Sequence, residues 1–176
     1  MSSGATTEPR PPTLVIGLGN PILGDDGVGW RVVDALERRL VLARDDRLAA
    51  GEVELDRLAV GGLRLMERLV GYDRVVLVDA VLASDRPGTI TTAPLAEIVS
   101  RLHGHLDSAH DATLVEAISA GRALGAHLPD EVTVVGVAVE RADEFGERLS
   151  PAVAAGVAPA VEVVLAVLRR PSLQAT

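Results

Sequence analysis

Residues 13–29 read TLVIGLGNPILGDDGVG, and the fold class is decided at their start. Thr13–Gly17 (TLVIG) is a short, uncharged, apolar run, the pattern of a strand covered on both faces. A glycine-rich turn follows. Beyond it Val28, Val32, Val33, Leu36 and Leu40 recur at helical spacing, with Arg31, Asp34, Glu37, Arg38 and Arg39 on the other side. Strand, tight turn and amphipathic helix in that order open a βαβ unit.

The same grammar continues along the chain. Arg74–Asp79 (RVVLVD) and Val132–Val139 (VTVVGVAV) are further buried-strand runs. Val53–Leu58 (VELDRL) alternates more and belongs nearer an edge, and Gly88–Thr92 (GTITT) is a short strand after the Asp85–Gly88 turn. Helical patterns lie between: Leu63–Val70, Pro94–Leu102 with its proline in the first turn, and Thr113–Leu124 with Leu114, Ala117, Ile118, Gly121 and Leu124 on one stripe. The last helix opens with Ser150 as N-cap and Pro151 at its first position, and carries Val153, Val157, Val161, Val164, Leu165 and Leu168. This alternation predicts an α/β fold, a three-layer α/β/α sandwich around a mostly parallel twisted sheet of about five strands. In such sheets the site lies outside the carboxyl ends of the strands, here after Gly17, after Val78 and after Val139.

With 176 residues, 48% hydrophobic and 24% charged, the chain has the size and composition of one globular domain with a sizeable core. We expect one domain over residues 13–168, a disordered Ser/Thr/Pro-rich lead-in at 1–12 and a loose tail at 169–176. The lead-in has no apolar core of a signal peptide, and the apolar stretches are short and interrupted, so no membrane span is expected and the expected location is the cytoplasm. The absence of cysteine removes disulfides, thiolate metal sites and a cysteine nucleophile. All 17 basic residues are arginine, which removes every lysine-based mechanism. A formal charge of −8 and only three aromatics, Trp30, Tyr72 and Phe145, argue against a nucleic-acid partner.

Several residues could carry chemistry. Gly17 and Gly19 open like a dinucleotide fingerprint, but Ile22 holds the place of the third glycine, and Asp25 and Asp26 would repel a phosphate at the helix start. For the two aspartates, one helix cap and one functional carboxylate is the favoured reading. Asp79 ends an apolar run and has to emerge into the same cleft or be paired, so Asp26 and Asp79 form a candidate two-carboxylate site. His103 and His105 have the spacing of a metal pair in an extended segment, although two solvated loop histidines is the plainer account. His110 precedes a helix, and His127 lies near a helix end. Two aspartates and one histidine would suit a divalent metal of borderline hardness such as nickel or zinc, or general acid/base work. Serine-nucleophile chemistry lacks its Gly-x-Ser-x-Gly context.

Through the motif Gly17-x-Gly19-Asn20-x4-Asp25-Asp26-Gly27-x-Gly29 the sequence first shows its resemblance to the hydrogenase maturation proteases. It continues through Val78-Asp79-Ala80, Ser108-x-His110-Asp111 with Leu114, Gly136-Val137-x-x-Glu140 and Leu149-Ser150-Pro151, over about residues 13 to 168 in the family's order. The resemblance implies an aspartic-type, nickel-dependent endopeptidase that removes a C-terminal extension from the large subunit of a nickel-iron hydrogenase after nickel insertion. It places the metal-contacting and catalytic set on Asp26, Asp79 and His110, promoting His110 over His103 and His105. Gly17, Gly19, Asn20, Asp25 and Gly27 support the cleft. The nickel is expected to be carried by the substrate, with no tightly held cofactor, and the precursor to be a transient partner of a monomeric enzyme. Exposed apolar residues such as Ile22, Leu23 and Leu82 would rim the docking face. The chain departs from the family's pattern at Asp56–Gly62, where only the glycine pair is kept, and at Val139, where a proline often precedes the glutamate. The alternatives are a peptidyl-tRNA hydrolase, which shares the opening Gly-Leu-Gly-Asn-Pro, and a non-catalytic nickel-sensing chaperone.

Overall fold

Thr13–Leu18 forms β1 with all six positions buried, because the strand has neighbours on both sides and helices on both faces. The structure, a computed structural model, describes the chain at residues 13–82, 86–102 and 109–170, and its side chains there except at 48–49, 99–102 and 109–113. After β1 come a 3-10 turn (Gly24–Gly27), α1 (Val28–Leu42), a one-turn α2 (Asp46–Ala49), β2 (Val53–Leu58) and α3 (Gly62–Leu69). The chain continues through β3 (Arg74–Leu82), β4 (Ile90–Pro94), α4 (Leu95–Leu102), α5 (Ala109–Ala123), β5 (Glu131–Val139) and α6 (Pro151–Arg169).

The sheet has five strands in the order β2-β1-β3-β5-β4. β2, β1, β3 and β5 are parallel, and β4 returns antiparallel along β5. The expected α/β sandwich is therefore present, with β2 at one edge. Strand parity divides the core. Val15, Val76, Val78, Val135 and Val137 pack under α1 and α6, whereas Leu14, Ile16, Val75, Leu77 and Val134 pack under α3, α4 and α5. Burying each such side chain contributes about 1.5–3 kcal/mol.

Three sequence expectations need correction. Pro94 is not in the first turn of α4; it ends β4 opposite Thr133, and the helix starts at Leu95. Ser150 holds the N-cap position of α6, but its side chain makes no capping hydrogen bond. Finally, the expected shortness of the apolar stretches does not hold for α6, which is long and apolar enough to cross a bilayer by length and composition alone. One face of that helix is packed in the core through Val153, Ala160, Val161, Val164, Leu165 and Val167. At its far end the buried Arg74 guanidinium donates to the Val167 carbonyl at 2.7 Å and the Arg170 carbonyl at 2.8 Å, satisfying helix-end acceptors. The chain is thus held through Arg170.

Candidate active site

The chain leaves β1 through α1 toward β2 on one side, whereas it leaves β3 toward β4 and β5 on the other. The β1/β3 junction is therefore the switch point at which such sheets open a crevice. The glycines of the first motif build it. A Cβ on Gly29 would lie 2.3 Å from both the Leu18 and the Val78 carbonyl oxygens, so α1 can start against the ends of two strands only without a side chain there. Gly19 adopts φ +114°, and a Cβ on it would lie 1.9 Å from the Asp26 carbonyl oxygen. These glycines serve close packing. We expect Gly29→Ala to destabilise the fold by about 3 kcal/mol, a midpoint drop of roughly 6–12 °C in a thermal melt.

β3 runs past Asp79 to Leu82, because β5 pairs it as far as Leu82↔Val139. β1, by contrast, pairs with it only as far as Gly17↔Val78. Asp79 is the first β3 residue beyond that last pair, so the strand is uncovered on its β1 side where the carboxylate emerges. The Asp79 carboxylate accepts the Ala80 backbone N–H at 2.8 Å. Asp26 arrives from the 3-10 turn, and its Oδ2 accepts the Asn20 backbone N–H at 2.6 Å. Its Oδ1 has no partner among the described residues. Asp26 and Asp79 line one cavity of ≈ 240 Å³ with Gly19, Asn20, Val60 and Gly61. That is smaller than the roughly 300–1,000 Å³ of a pocket that engulfs a small-molecule ligand. A second, larger cleft of ≈ 590 Å³ contains Asp25, Glu140, Arg148 and Ser150, and lacks both Asp26 and Asp79.

The neighbouring acids are engaged elsewhere. Asp56 accepts from Arg68 Nε at 2.6 Å, and Arg68 also binds Tyr72 and Glu54. Burial alone would lower the pKa of Arg68, but its bonds to Tyr72, Asp56 and Glu54 raise it above the ordinary value. Asp34 is held by Arg57 at 2.7 Å.

The expected division of the aspartate pair is corrected in one respect: neither caps α1. The N-caps of the 3-10 turn and of α1 make no side-chain capping bond, and Asp25 Oδ1 instead accepts the Ser150 backbone N–H at 2.6 Å. Of the histidines, His127 pairs with Asp73 at 2.8 Å on an exposed surface and lines neither cleft. His103, His105 and Ser108 lie outside the described residues. His110 is in the first turn of α5, and its side chain lies outside the described ones. The place of that turn follows from topology. α5 ends just before β5 begins at the amino end of the sheet, and its 15 residues extend about 22 Å back toward the carboxyl edge. Among the described residues no three His, Asp or Glu side chains are grouped to hold a metal ion.

Comparison with known proteins identifies the lineage. A family model described as hydrogenase maturation protease matches residues 31–167. The chain belongs to the hydrogenase maturation protease family. The match begins after Asp26 and contains Asp79 and His110. Among the family's characterised members, the hydrogenase 2 maturation protease of Escherichia coli (strain K12) is 32% identical over 163 residues, covering 92% of this chain and 93% of that one. The solved structure of the E. coli hydrogenase maturating endopeptidase HybD superposes with a TM-score of 0.69 at 32% identity, over 89% of this chain and 91% of that one. The [NiFe] hydrogenase maturation protease HybD from Thermococcus kodakarensis gives 0.63 at 26% identity, over 89% and 99%. The protein is accordingly an endopeptidase of the hydrogenase maturation type, and membership in this family disfavours both the tRNA hydrolase and the chaperone alternatives.

Proposed function

We propose that this endopeptidase removes the C-terminal extension of a nickel-iron hydrogenase large-subunit precursor once nickel has been inserted. The observation that carries the reading is the meeting of Asp26 and Asp79 in one cleft at the β1/β3 junction, one Asp26 oxygen being unpartnered among the described residues. Asp26, Asp79 and His110 engage the nickel held by the substrate, and this engagement brings the scissile peptide into the cleft. Two carboxylates and one imidazole form a set that suits a borderline divalent ion and is completed by ligands of the substrate. Water then attacks the peptide carbonyl, with the substrate's metal polarising that carbonyl or a cleft carboxylate accepting the water proton, and the C–N bond breaks as the amine of the released extension takes up that proton. The cleft is too small to enclose a folded partner, so recognition extends to its surroundings. Ile22 and Leu82, each 50% exposed, supply apolar contact on the loops that follow β1 and on the end of β3, while Leu23 is partly buried. The enzyme acts as a monomer in a transient encounter with the precursor in the cytoplasm.

Purified protein should shorten a nickel-loaded large-subunit precursor at its C-terminus, seen as a mass loss confined to that end, and leave peptidyl-tRNA intact. Hydrolysis of peptidyl-tRNA with the precursor untouched would overturn the proposal.

A further inference from the structure

We propose that Asp25 is a positioning residue whose carboxylate clamps the loop carrying Asp26 to the start of α6 and so fixes where the Asp26 carboxylate stands. The inference rests on the role given to Asp26 above and extends it to Asp25, which lines the neighbouring cleft and not the one that holds Asp26 and Asp79.

The two aspartates are neighbours in one 3-10 turn, yet their bonds run in different directions. Asp26 Oδ2 reaches back to the Asn20 amide, whereas Asp25 Oδ1 reaches across to the Ser150 amide, 125 residues away in sequence, at 2.6 Å. The clamp is reinforced on the backbone. Gly24 N–H donates to the Gly146 carbonyl at 2.6 Å, and Gly146 N–H donates to the Ile22 carbonyl at 3.0 Å, so residues 22–24 and 146 form a short bridge. Ser150 is the N-cap of α6, and its amide lies outside the helix's own ladder. Pro151, the next residue, has no N–H to offer. The Ser150 amide is thus free to serve another acceptor, and the positive end of the 19-residue α6 favours a carboxylate there. The start of α6 is itself immobilised by core packing from Val153 onward. Asp25 therefore ties a glycine-flanked turn to a rigid element, and Asp26 sits at the next position of that turn.

The chemistry of the clamp separates it from a catalytic acid. A clamp needs one acceptor oxygen, which asparagine retains. A metal-contacting or proton-transferring acid needs the charge, which asparagine lacks. Displacing a catalytic group by about 1 Å costs on the order of 10²-fold in rate.

The test compares precursor processing by Asp25→Asn, Asp25→Ala, Ser150→Pro and the Asp25→Ala/Ser150→Pro double variant. Ser150 has φ −59°, within the range of proline, so Ser150→Pro removes the donor while suiting the backbone there. We expect Asp25→Asn to keep kcat within about threefold, and Asp25→Ala and Ser150→Pro each to lose at least about tenfold in kcat with KM little changed. The double variant should be no worse than the poorer single one, because both remove the same bond. Hydrogen exchange supplies a readout independent of turnover: the Asn20 amide, which reports the Asp26 carboxylate, should lose protection in Asp25→Ala and keep it in Asp25→Asn. Should Asp25→Ala fail to fold, Ser150→Pro removes the bond from the other side and takes its place in both measurements. Equal inactivation by Asp25→Asn and Asp25→Ala would overturn the inference and make Asp25 a chemical participant, and so would unchanged Asn20 protection in Asp25→Ala. Failure of the wild-type protein to process the precursor would count against the proposed function alone, since the exchange comparison still decides whether Asp25 positions Asp26.

Discussion

Asp26→Asn should abolish precursor processing, a loss of at least about 10²-fold, and leave the fold intact. The reason lies in how the two oxygens of Asp26 are used. Oδ2 accepts the Asn20 amide at 2.6 Å, so the asparagine carbonyl will take that donor and turn its NH2 group into the cleft. The atom then facing the substrate's nickel is a hydrogen-bond donor and cannot act as a ligand. Asp79→Asn should be nearly as damaging, because an amide lacks the carboxylate's charge and is the poorer ligand for a divalent ion, while its oxygen can still accept the Ala80 N–H. Neither change removes packed volume from the core, and we expect thermal midpoints within about 4 °C of wild type, equivalent to about 1 kcal/mol. Measuring midpoint and processing rate on the same samples separates the site from a pair of structural caps. A large fall in midpoint with processing preserved in the folded fraction would reverse the assignment.

The helices and strands that could be read from the sequence are those whose pattern is complete within one segment. Thr13–Leu18 has no polar interruption and lies in the middle of the sheet, and α1 buries Val28, Val32, Val33, Leu36 and Leu40 as its spacing requires. What was misread depends on partners. The apolar run of β3 stops at Val78, but the strand continues four residues further because β5 offers it a ladder as far as Val139. Pro94 looks like a helix start, yet it tolerates the end of β4, an edge strand on which a missing N–H costs little. The one-turn Asp46–Ala49 helix is too short to leave a periodic signal.

The site divides along the same line. Asp26 and Asp79 could be picked out because one lies in the turn that follows β1 and the other closes the apolar run of β3, and a parallel sheet gathers the residues beyond such runs at one edge. The role of Asp25 could not, because Ser150 is 125 positions away and nothing local marks the pair. The cleft wall formed by Ala59, Val60 and Leu65 has little local signal either, and only the family resemblance places Asp56–Gly62 near it. Its one sequence signal is the Gly61-Gly62 pair, which turns the chain from β2 into α3 with Gly62 at φ +56°.

His110→Ala is expected to reduce processing by at least about 10²-fold, whereas His103→Ala and His105→Ala should each stay within about threefold of wild type. Spacing does not single out His110, since His103 and His105 have the form of a metal pair, although two solvated loop histidines is the plainer account of them. Topology supports His110. β4 runs antiparallel, so α4 starts at the amino end of the sheet, and α5 must return there before β5 begins at Glu131. The first turn of α5 therefore stands at the carboxyl edge, the edge that carries Asp26 and Asp79, with Leu114 one turn on anchoring the helix in the core beneath α3. A ligand set drawn from three separate elements needs each of them fixed, and a helix turn next to a buried leucine is a firm mount. The measurement is processing of one nickel-loaded precursor by the three single variants, with circular dichroism to establish that each is folded. Equal losses at all three positions would mean that the imidazole comes from more than one residue. Full activity of His110→Ala would reduce the site to its two carboxylates and require the substrate to supply every remaining ligand of its own metal.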